Sequence, residues 1–321
     1  LPSFITAKLN KKISMSLTVV GSMAFDDIET PFGKSGRIIG GSAVYIAWAA
    51  SNFVKPINQV SVIGGDFPQV ELDALKAKGV ALEGVQVKKD EKSFYWAGKY
   101  HMDMNTRDTL VTELNVLGEF KPSIPDSYQG SEFLILGNLT PQVQMDVIKQ
   151  MKTRPKLIVM DTMNFWMEVA LDDLKKVLKE VDVLMVNDGE ARQLSGEYSL
   201  VRAARKILTM GPRYLIIKKG EHGALLFHEN HVFFAPALPL DEVFDPTGAG
   251  DTFAGGFIGH LAKTKDISFE NMKTAIIVGS AMASFCVEKF GTGRLREINQ
   301  DDINARLEQF VQLVNFDIDL V

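Results

Sequence analysis

Six short runs of nearly uninterrupted apolar residues punctuate the chain: LTVVG (17–21), INQVSVIG (57–64), FLILG (133–137), KLIVMD (156–161), VDVLMVN (181–187) and RYLIIKKG (213–220). Strands that read this way are buried on both faces. Each gap between them holds a segment whose apolar residues return at every third and fourth place: Ser42–Phe53, Phe67–Lys78, Pro141–Met151, Leu171–Glu180 and Leu200–Met210. That is the rhythm of crossover units. It predicts an α/β fold in which helices cover both sides of a mostly parallel sheet. The last third ends in helices, and no fixed-period repeat competes with this reading.

With 46% hydrophobic residues over 321 positions, the chain can bury a large core. Its length suits two domains or one large domain with an appendage. A formal net charge of −5 and the lack of a long basic run argue against nucleic acid as a partner. Charge or glycine interrupts every apolar stretch before the ~18 residues of a spanning helix, so a soluble protein with no membrane partner is expected. The single cysteine, Cys286, lies in an apolar helical stretch. It rules out an internal disulfide and points to a reducing, cytoplasmic setting. The histidines form no metal pattern, and His228 and His231 flank a turn at Glu229-Asn230. Residues 1–14 carry three lysines without the features of a signal peptide. They are expected to be a disordered leader or cloning remnant, with Met15 as the natural start and the folded unit at 15–321.

Two stretches break the rhythm. Phe25–Ile39 is polar, with Pro31, Gly33 and Gly36 as turn makers, and Lys92–Tyr100 and Thr109–Val116 read as strands around MDMNTRD. A small β-sheet lid, at about 25–39 and 91–117, is therefore expected over the ends of the main strands, where α/β proteins bind ligands.

The most informative segment is VFDPTGAGDTFAGGFIGH (243–260), a loop feeding a helix. Gly248 and Gly250 open backbone conformations closed to other residues, and the first N–H groups of the helix lack internal partners. With the helix dipole, the N–H groups of Gly248, Ala249 and Gly250 form an anion hole suited to phosphate oxygens. Asp251 stands at the helix start. There the dipole favours the carboxylate, which is placed to take a proton from a substrate hydroxyl while the hole holds charge on a transferred phosphoryl group.

DPTGAGDTFAGGF resembles the second signature of the ribokinase-like, or PfkB, family of carbohydrate and nucleoside kinases. IIGGSAVYIAWAAS, with Gly40 and Gly41, resembles the first signature. LMVNDGE is similar to the family's Asn-x-x-Glu element at Asn187 and Glu190, and KKGEHGALL to its nucleotide-contacting Gly-x-x-Gly turn at Gly220 and Gly223. The resemblance implies a three-layer α/β/α fold with a central mostly parallel sheet. It also implies transfer of the ATP γ-phosphoryl group to a primary hydroxyl, with Asp251 as base. Asn187 and Glu190 would orient Mg²⁺, the glutamate through water. Lys218, Gly220, Gly223 and Ser280 fall at nucleotide positions, and Asp26, Gly40, Gly41, Ser42 and Tyr45 at substrate positions. The family's cation loop corresponds to Glu288–Gly293, which makes a monovalent cation a candidate cofactor. Lids of this family often pair between subunits, which implies a homodimer.

The chain departs from the family where the sugar is held. Tyr45 and Ala24 replace residues usually asparagine, and Lys218-Lys219 brings extra positive charge to the phosphate side. Two acceptor classes stay open. Lys34, Arg37, Lys99 and Arg107 could bind a phosphorylated sugar, and Phe94, Tyr95, Trp96 and Tyr45 could pack a nucleoside base. A sugar kinase is the leading reading and a nucleoside kinase the alternative, ahead of a non-catalytic binding homologue. A dehydrogenase or P-loop protein fits poorly. Phe253 stands where the third glycine of a dinucleotide loop belongs, and Ile28 where a P-loop's first glycine belongs.

Overall fold

The computed structural model describes residues 17–315; the leader expected over residues 1–14 lies outside them. Its strands are β1 (Leu17–Val20), β2 (Ala24–Thr30), β3 (Gly33–Gly40), β4 (Ile57–Gly64), β5 (Val80–Lys88), β6 (Phe94–Tyr100), β7 (Arg107–Glu113), β8 (Phe133–Leu136), β9 (Leu157–Asp161), β10 (Val183–Asn187), β11 (Tyr214–Lys218), β12 (Ala224–His228) and β13 (His231–Ala235). Nine of them form the main sheet, in the order β13-β12-β11-β10-β9-β8-β1-β4-β5. Every pair from β11 to β5 is parallel, and only the hairpin edge β11-β12-β13 is antiparallel. The Glu229-Asn230 turn joins β12 to β13, as its flanking histidines suggested.

The helices are α1 (Ser42–Ala50), α2 (Gln69–Ala77), α3 (Pro141–Gln150), α4 (Asn164–Val169), α5 (Leu171–Leu178), α6 (Asp188–Ser195), α7 (Leu200–Leu208), α8 (Ala249–Thr264), α9 (Phe269–Cys286), α10 (Gly293–Glu297) and α11 (Gln300–Val314). Strand side chains alternate between two cores. Val19, Ile135, Val159, Met185 and Ile216 pack with α1, α8 and α9, whereas Val20, Leu134, Ile158, Leu184 and Leu215 pack with α3, α5 and α7. Full burial of each such side chain contributes about 1.5–3 kcal/mol. No helix among the described residues is long and apolar enough to cross a membrane.

The four remaining strands form a separate small sheet, β3-β2-β6-β7. It spans narrower limits than the sequence suggests on one side. β7 ends at Glu113, not Val116. Asn115 adopts a positive φ and donates from Nδ2 to Ser93 O at 2.9 Å, and Val116 plugs the core beneath the main sheet. A parallel pairing joins the two hairpins, with Asp26 opposite Trp96. The carboxyl ends of β9, β10 and β11 carry Asp161, Asn187 and Lys218. With the start of α8 they form one rim, next to the small sheet.

Candidate active site

Pro246 starts a tight turn in which the Ala249 N–H donates to Pro246 O at 3.2 Å. Gly248 follows at φ 75°, a left-handed value that strains any residue with a Cβ, and a Cβ there would enter the Tyr45 ring. Behind it α8 begins. The amides of Gly248, Gly250 and Asp251 have no acceptor among the described residues, so three donors remain available at the positive end of a 16-residue helix. The sequence reading assigns one donor to Ala249. In this turn that N–H is spent on Pro246, and the amide of Asp251 stands in its place.

Asp245, fully buried, anchors the turn. Its Oδ1 accepts from Thr247 N at 2.8 Å and its Oδ2 from Gly291 N at 2.9 Å. This ties the 288–293 loop to the anion-hole turn. Sequence reasoning quoted Asp245 inside the motif without giving it a role, since its partner lies 46 residues away.

Asp251 is half-buried beside this turn. Burial, with the charge of Asp161, pushes its pKa up to about 7, against the pull of Lys218 and Arg107. Burial thus works against the carboxylate that the helix dipole alone favours. A base with a pKa near 7 is nonetheless well matched to proton transfer at neutral pH.

Lys218 Nζ donates to Asp161 Oδ2 at 2.6 Å. Burial works against the ammonium, but the Asp161 and Glu190 carboxylates outweigh it and hold its pKa above the ordinary lysine value. Its amine also packs against Gly250, where a Cβ would lie 3.1 Å from Nζ. A fixed positive charge therefore adjoins the anion hole. Asp161 was missed in the sequence, although a carboxylate ending the apolar run KLIVMD was a usable signal.

Asn187 and Glu190 form a reciprocal cap on α6. Asn187 Oδ1 accepts from Glu190 N at 2.8 Å, and Glu190 Oε2 accepts from Asn187 N at 2.7 Å. Burial and then Asp161 raise the Glu190 pKa to about 7. Two carboxylates that repel one another next to Lys218 make a place where a further cation is favourable.

On the other side of Gly248 lies Asp26. Its carboxyl is buried against Gly40 and is pushed up to about 7 by burial and by Asp245 and Asp251, against the pull of the nearby Gly41 N–H. A Cβ at Gly40 would overlap that carboxylate. Ser42 is occupied within the fold: its Oγ accepts from Ser22 N at 3.1 Å and its N donates to Ser22 Oγ at 3.1 Å. Tyr45 is 1% exposed, with its hydroxyl lacking a partner, and it supports Gly248 from below. The structure thus removes Tyr45 from the surfaces open to a base.

Gly220 opens the turn after β11 and contacts the Asn105 side chain of the small sheet. Gly223 follows, closed against the backbone of Ala235 and Pro236. Ser280 is 8% exposed on α9. The small sheet also reaches the anion-hole turn, where Thr247 Oγ1 donates to Tyr100 Oη at 3.2 Å. Its β2–β3 tip sets Phe32 against Phe244, ring centroids 6.4 Å apart. Of its four cations, Lys34 and Lys99 each bind Glu29 at 2.8 Å and Arg37 binds Asp66 at 3.0 Å. Only Arg107 has no carboxylate partner within the described residues.

A family model for pfkB family carbohydrate kinases matches residues 16–299. The chain belongs to this family. As a pfkB-family kinase it is a phosphotransferase that acts on a hydroxyl group of a sugar or nucleoside. It is 29% identical over 261 residues to a cytidine kinase of Thermococcus kodakarensis, a match covering 79% of this chain and 91% of that one. Among solved structures, a nucleoside kinase of Methanocaldococcus jannaschii superposes with a TM-score of 0.74 at 20% identity, over 92% of this pfkB kinase and 98% of that chain. A ribokinase of Arabidopsis thaliana, solved with ribose and ATP, gives 0.74 at 19% identity, over 92% and 99%. These two likenesses carry the ribokinase fold.

Proposed function

We propose that this kinase uses ATP to phosphorylate a primary hydroxyl on a sugar ring held by Asp26. The observation that carries this reading is the union, on one turn, of three available amides with a carboxyl of pKa about 7. Asp251 accepts the hydroxyl proton as the acceptor oxygen bonds to the γ-phosphorus. The bond from that phosphorus to the bridging oxygen breaks, and ADP leaves with its electron pair. The free amides of Gly248, Gly250 and Asp251 hold charge on the moving group, with Lys218 beside them.

Gly220, Gly223 and Ser280 would line the nucleotide, and Asn187 and Glu190, through water, would hold Mg²⁺. The described residues contain no cluster of three metal-ligating side chains. Hard oxygen donors of this kind suit Mg²⁺ held mainly by phosphates and waters. When bound, the ion neutralises phosphate charge. A monovalent cation has its candidate site in the 288–293 loop, which Asp245 fastens to the turn. The buried lone Cys286 suits a reducing, cytoplasmic setting.

One observation favours a nucleoside over a free sugar. Trp96 pairs in register with Asp26, so both side chains share one face, and its indole packs against Gly98. A planar base could stack there while Asp26 takes ribose hydroxyls. A phosphosugar is disfavoured, because Lys34, Lys99 and Arg37 are already paired. An ATP-consumption screen over pentoses, hexoses, phosphosugars and nucleosides, with Asp251→Asn as blank, tests this reading. Turnover with nucleosides or unphosphorylated pentoses supports it, and turnover confined to phosphosugars refutes it.

Gly40→Ala provides a separate check on Asp26. Its new methyl group displaces the carboxylate, so the KM of the acceptor should rise by roughly 10–100-fold while the KM of ATP stays within about threefold. Steady-state kinetics in both substrates reads this split.

The small sheet also supplies a surface for a second copy. β7 is an unpaired edge, with Leu110 57% and Val111 38% exposed. Such an edge invites strand pairing. Sedimentation should give a dimer for the wild type and a monomer for Leu110→Lys/Val111→Lys, with a wild-type monomer as the contrary result.

A further inference from the structure

Each polar atom of Thr247 is held by a different part of the fold. Its N–H donates to Asp245 Oδ1 at 2.8 Å, its carbonyl oxygen accepts from Cys286 Sγ at 3.5 Å, and its Oγ1 donates to Tyr100 Oη at 3.2 Å. The Thr247 carbonyl belongs to the same trans peptide unit as the Gly248 N–H. In such a planar unit the two groups point opposite ways. With the carbonyl turned toward Cys286, buried on α9, the Gly248 amide points away from α9. Glycine at φ 75° has no side chain to fix that direction. The holds on Thr247 have to supply it. Asp245 lies in the same turn and Cys286 comes from the core, but Tyr100 comes from the small sheet, 5% exposed at the end of β6. β6 runs parallel to β2 without a register shift from Ala24–Phe94 to Glu29–Lys99, with Asp26 opposite Trp96. Side chains alternate along a strand, so Trp96, Gly98 and Tyr100 lie on the face of Asp26. One sheet face therefore carries both the carboxyl assigned to the acceptor and the hydroxyl that holds the anion-hole turn.

We propose that Tyr100 is a positioning residue, which through the Thr247 hydroxyl aims the Gly248 amide at the phosphoryl group in transfer. This rests on the kinase reading above. No bond or proton of the reaction passes through Tyr100 or Thr247; the acceptor proton still goes to Asp251. Their contribution is geometric. A donor of the anion hole acts only when it is aimed at the place where charge develops, and the hydrogen bond from Thr247 to Tyr100 removes the rotation that would turn the amide aside.

The test is a double-mutant cycle on the full chain with Tyr100→Phe, Thr247→Val and the pair combined. Steady-state kinetics uses MgATP and the best acceptor from the panel of pentoses, hexoses, phosphosugars and nucleosides. Each single variant should lower kcat at least about 10-fold, the loss expected when a donor is misaimed. The KM of MgATP and of the acceptor should stay within about threefold, because the aim matters mainly in the transition state. The double variant should be no slower than the slower single one, to within about twofold, since both lose the same contact. Thr247→Ser restores the hydroxyl and should recover most of the kcat lost in Thr247→Val. Thermal melts confirm that each variant is folded at the assay temperature, and the two Thr247 variants decide the matter should Tyr100→Phe not fold. A kcat within about threefold of wild type in Tyr100→Phe or Thr247→Val, or single losses that multiply in the double variant, overturns the positioning role and leaves the kinase reading standing. A wild type that consumes ATP with no member of the panel overturns both.

Discussion

Asp251→Asn, assayed at pH 8, is expected to slow turnover by about 10²–10⁴-fold and at the same time to raise the melting temperature of the ligand-free protein. The first effect follows from loss of the base while the free amides and Lys218 remain. The second follows from linkage. The folded pKa, about 7, lies above the ordinary carboxyl value of 3.8, so the native state holds this proton more tightly than the unfolded chain. That stabilisation is complete below about pH 4 and gone above about pH 7. Asparagine is neutral throughout and escapes the loss, a gain of at most about 4 kcal/mol at pH 8 and about half that once solvent screening of the half-buried Asp251 is counted. The gap between variant and wild type should narrow below pH 7 and close near pH 4. Wild-type kcat/KM should fall on the acid side with an apparent pKa near 7, as the base takes up its proton. Thermal melts and rate profiles over pH 4–9 check all three. A variant that keeps wild-type turnover would remove Asp251 from the chemistry.

Lys218→Met is expected to harm both folding and catalysis, and the two can be separated. The lysine is the partner of Asp161, whose side chain is only 8% exposed. Removing it strands a carboxylate and should cost about 2–4 kcal/mol. It also takes a positive charge from beside Gly250, which should lower kcat by about 10²-fold. The double variant Lys218→Met/Asp161→Leu no longer buries an unpaired charge. Its stability should return to within about 1 kcal/mol of wild type, while kcat stays low. Recovery of kcat together with stability would reduce Lys218 to a structural role.

The sheet was legible because burial on both faces leaves a local mark. INQVSVIG (57–64) coincides with β4, and FLILG and KLIVMD each lie within one residue of β8 and β9. β5 left no such mark. VALEGVQVK is an edge strand with mixed exposure and a glycine at 84, so it shows neither a continuous apolar run nor a clean alternation. The turn at 246–251 was legible for a different reason, since closely spaced glycines before an acid at a helix start have few purposes.

What the sequence could not reveal depends on tertiary contacts. Lys218 and Asp161 meet across 57 positions. The pKa of Asp251 is pushed up by burial and by that same aspartate, neither of which a linear motif shows. Tyr45 looks like a pocket residue in a linear motif, yet packing turns it into the support of Gly248. Three of the four small-sheet cations are paired with Glu29 and Asp66, and composition alone does not show which one lacks a partner.

The account depends on where the donor phosphate sits, and a crystal grown with Mg²⁺ and a non-hydrolysable ATP analogue measures that position. The terminal phosphate oxygens should lie about 3 Å from the amides of Gly248, Gly250 and Asp251, with the Asp251 carboxyl facing Asp26 across the acceptor space. An analogue whose terminal phosphate binds elsewhere on the rim, leaving those amides without an anion, contradicts the account.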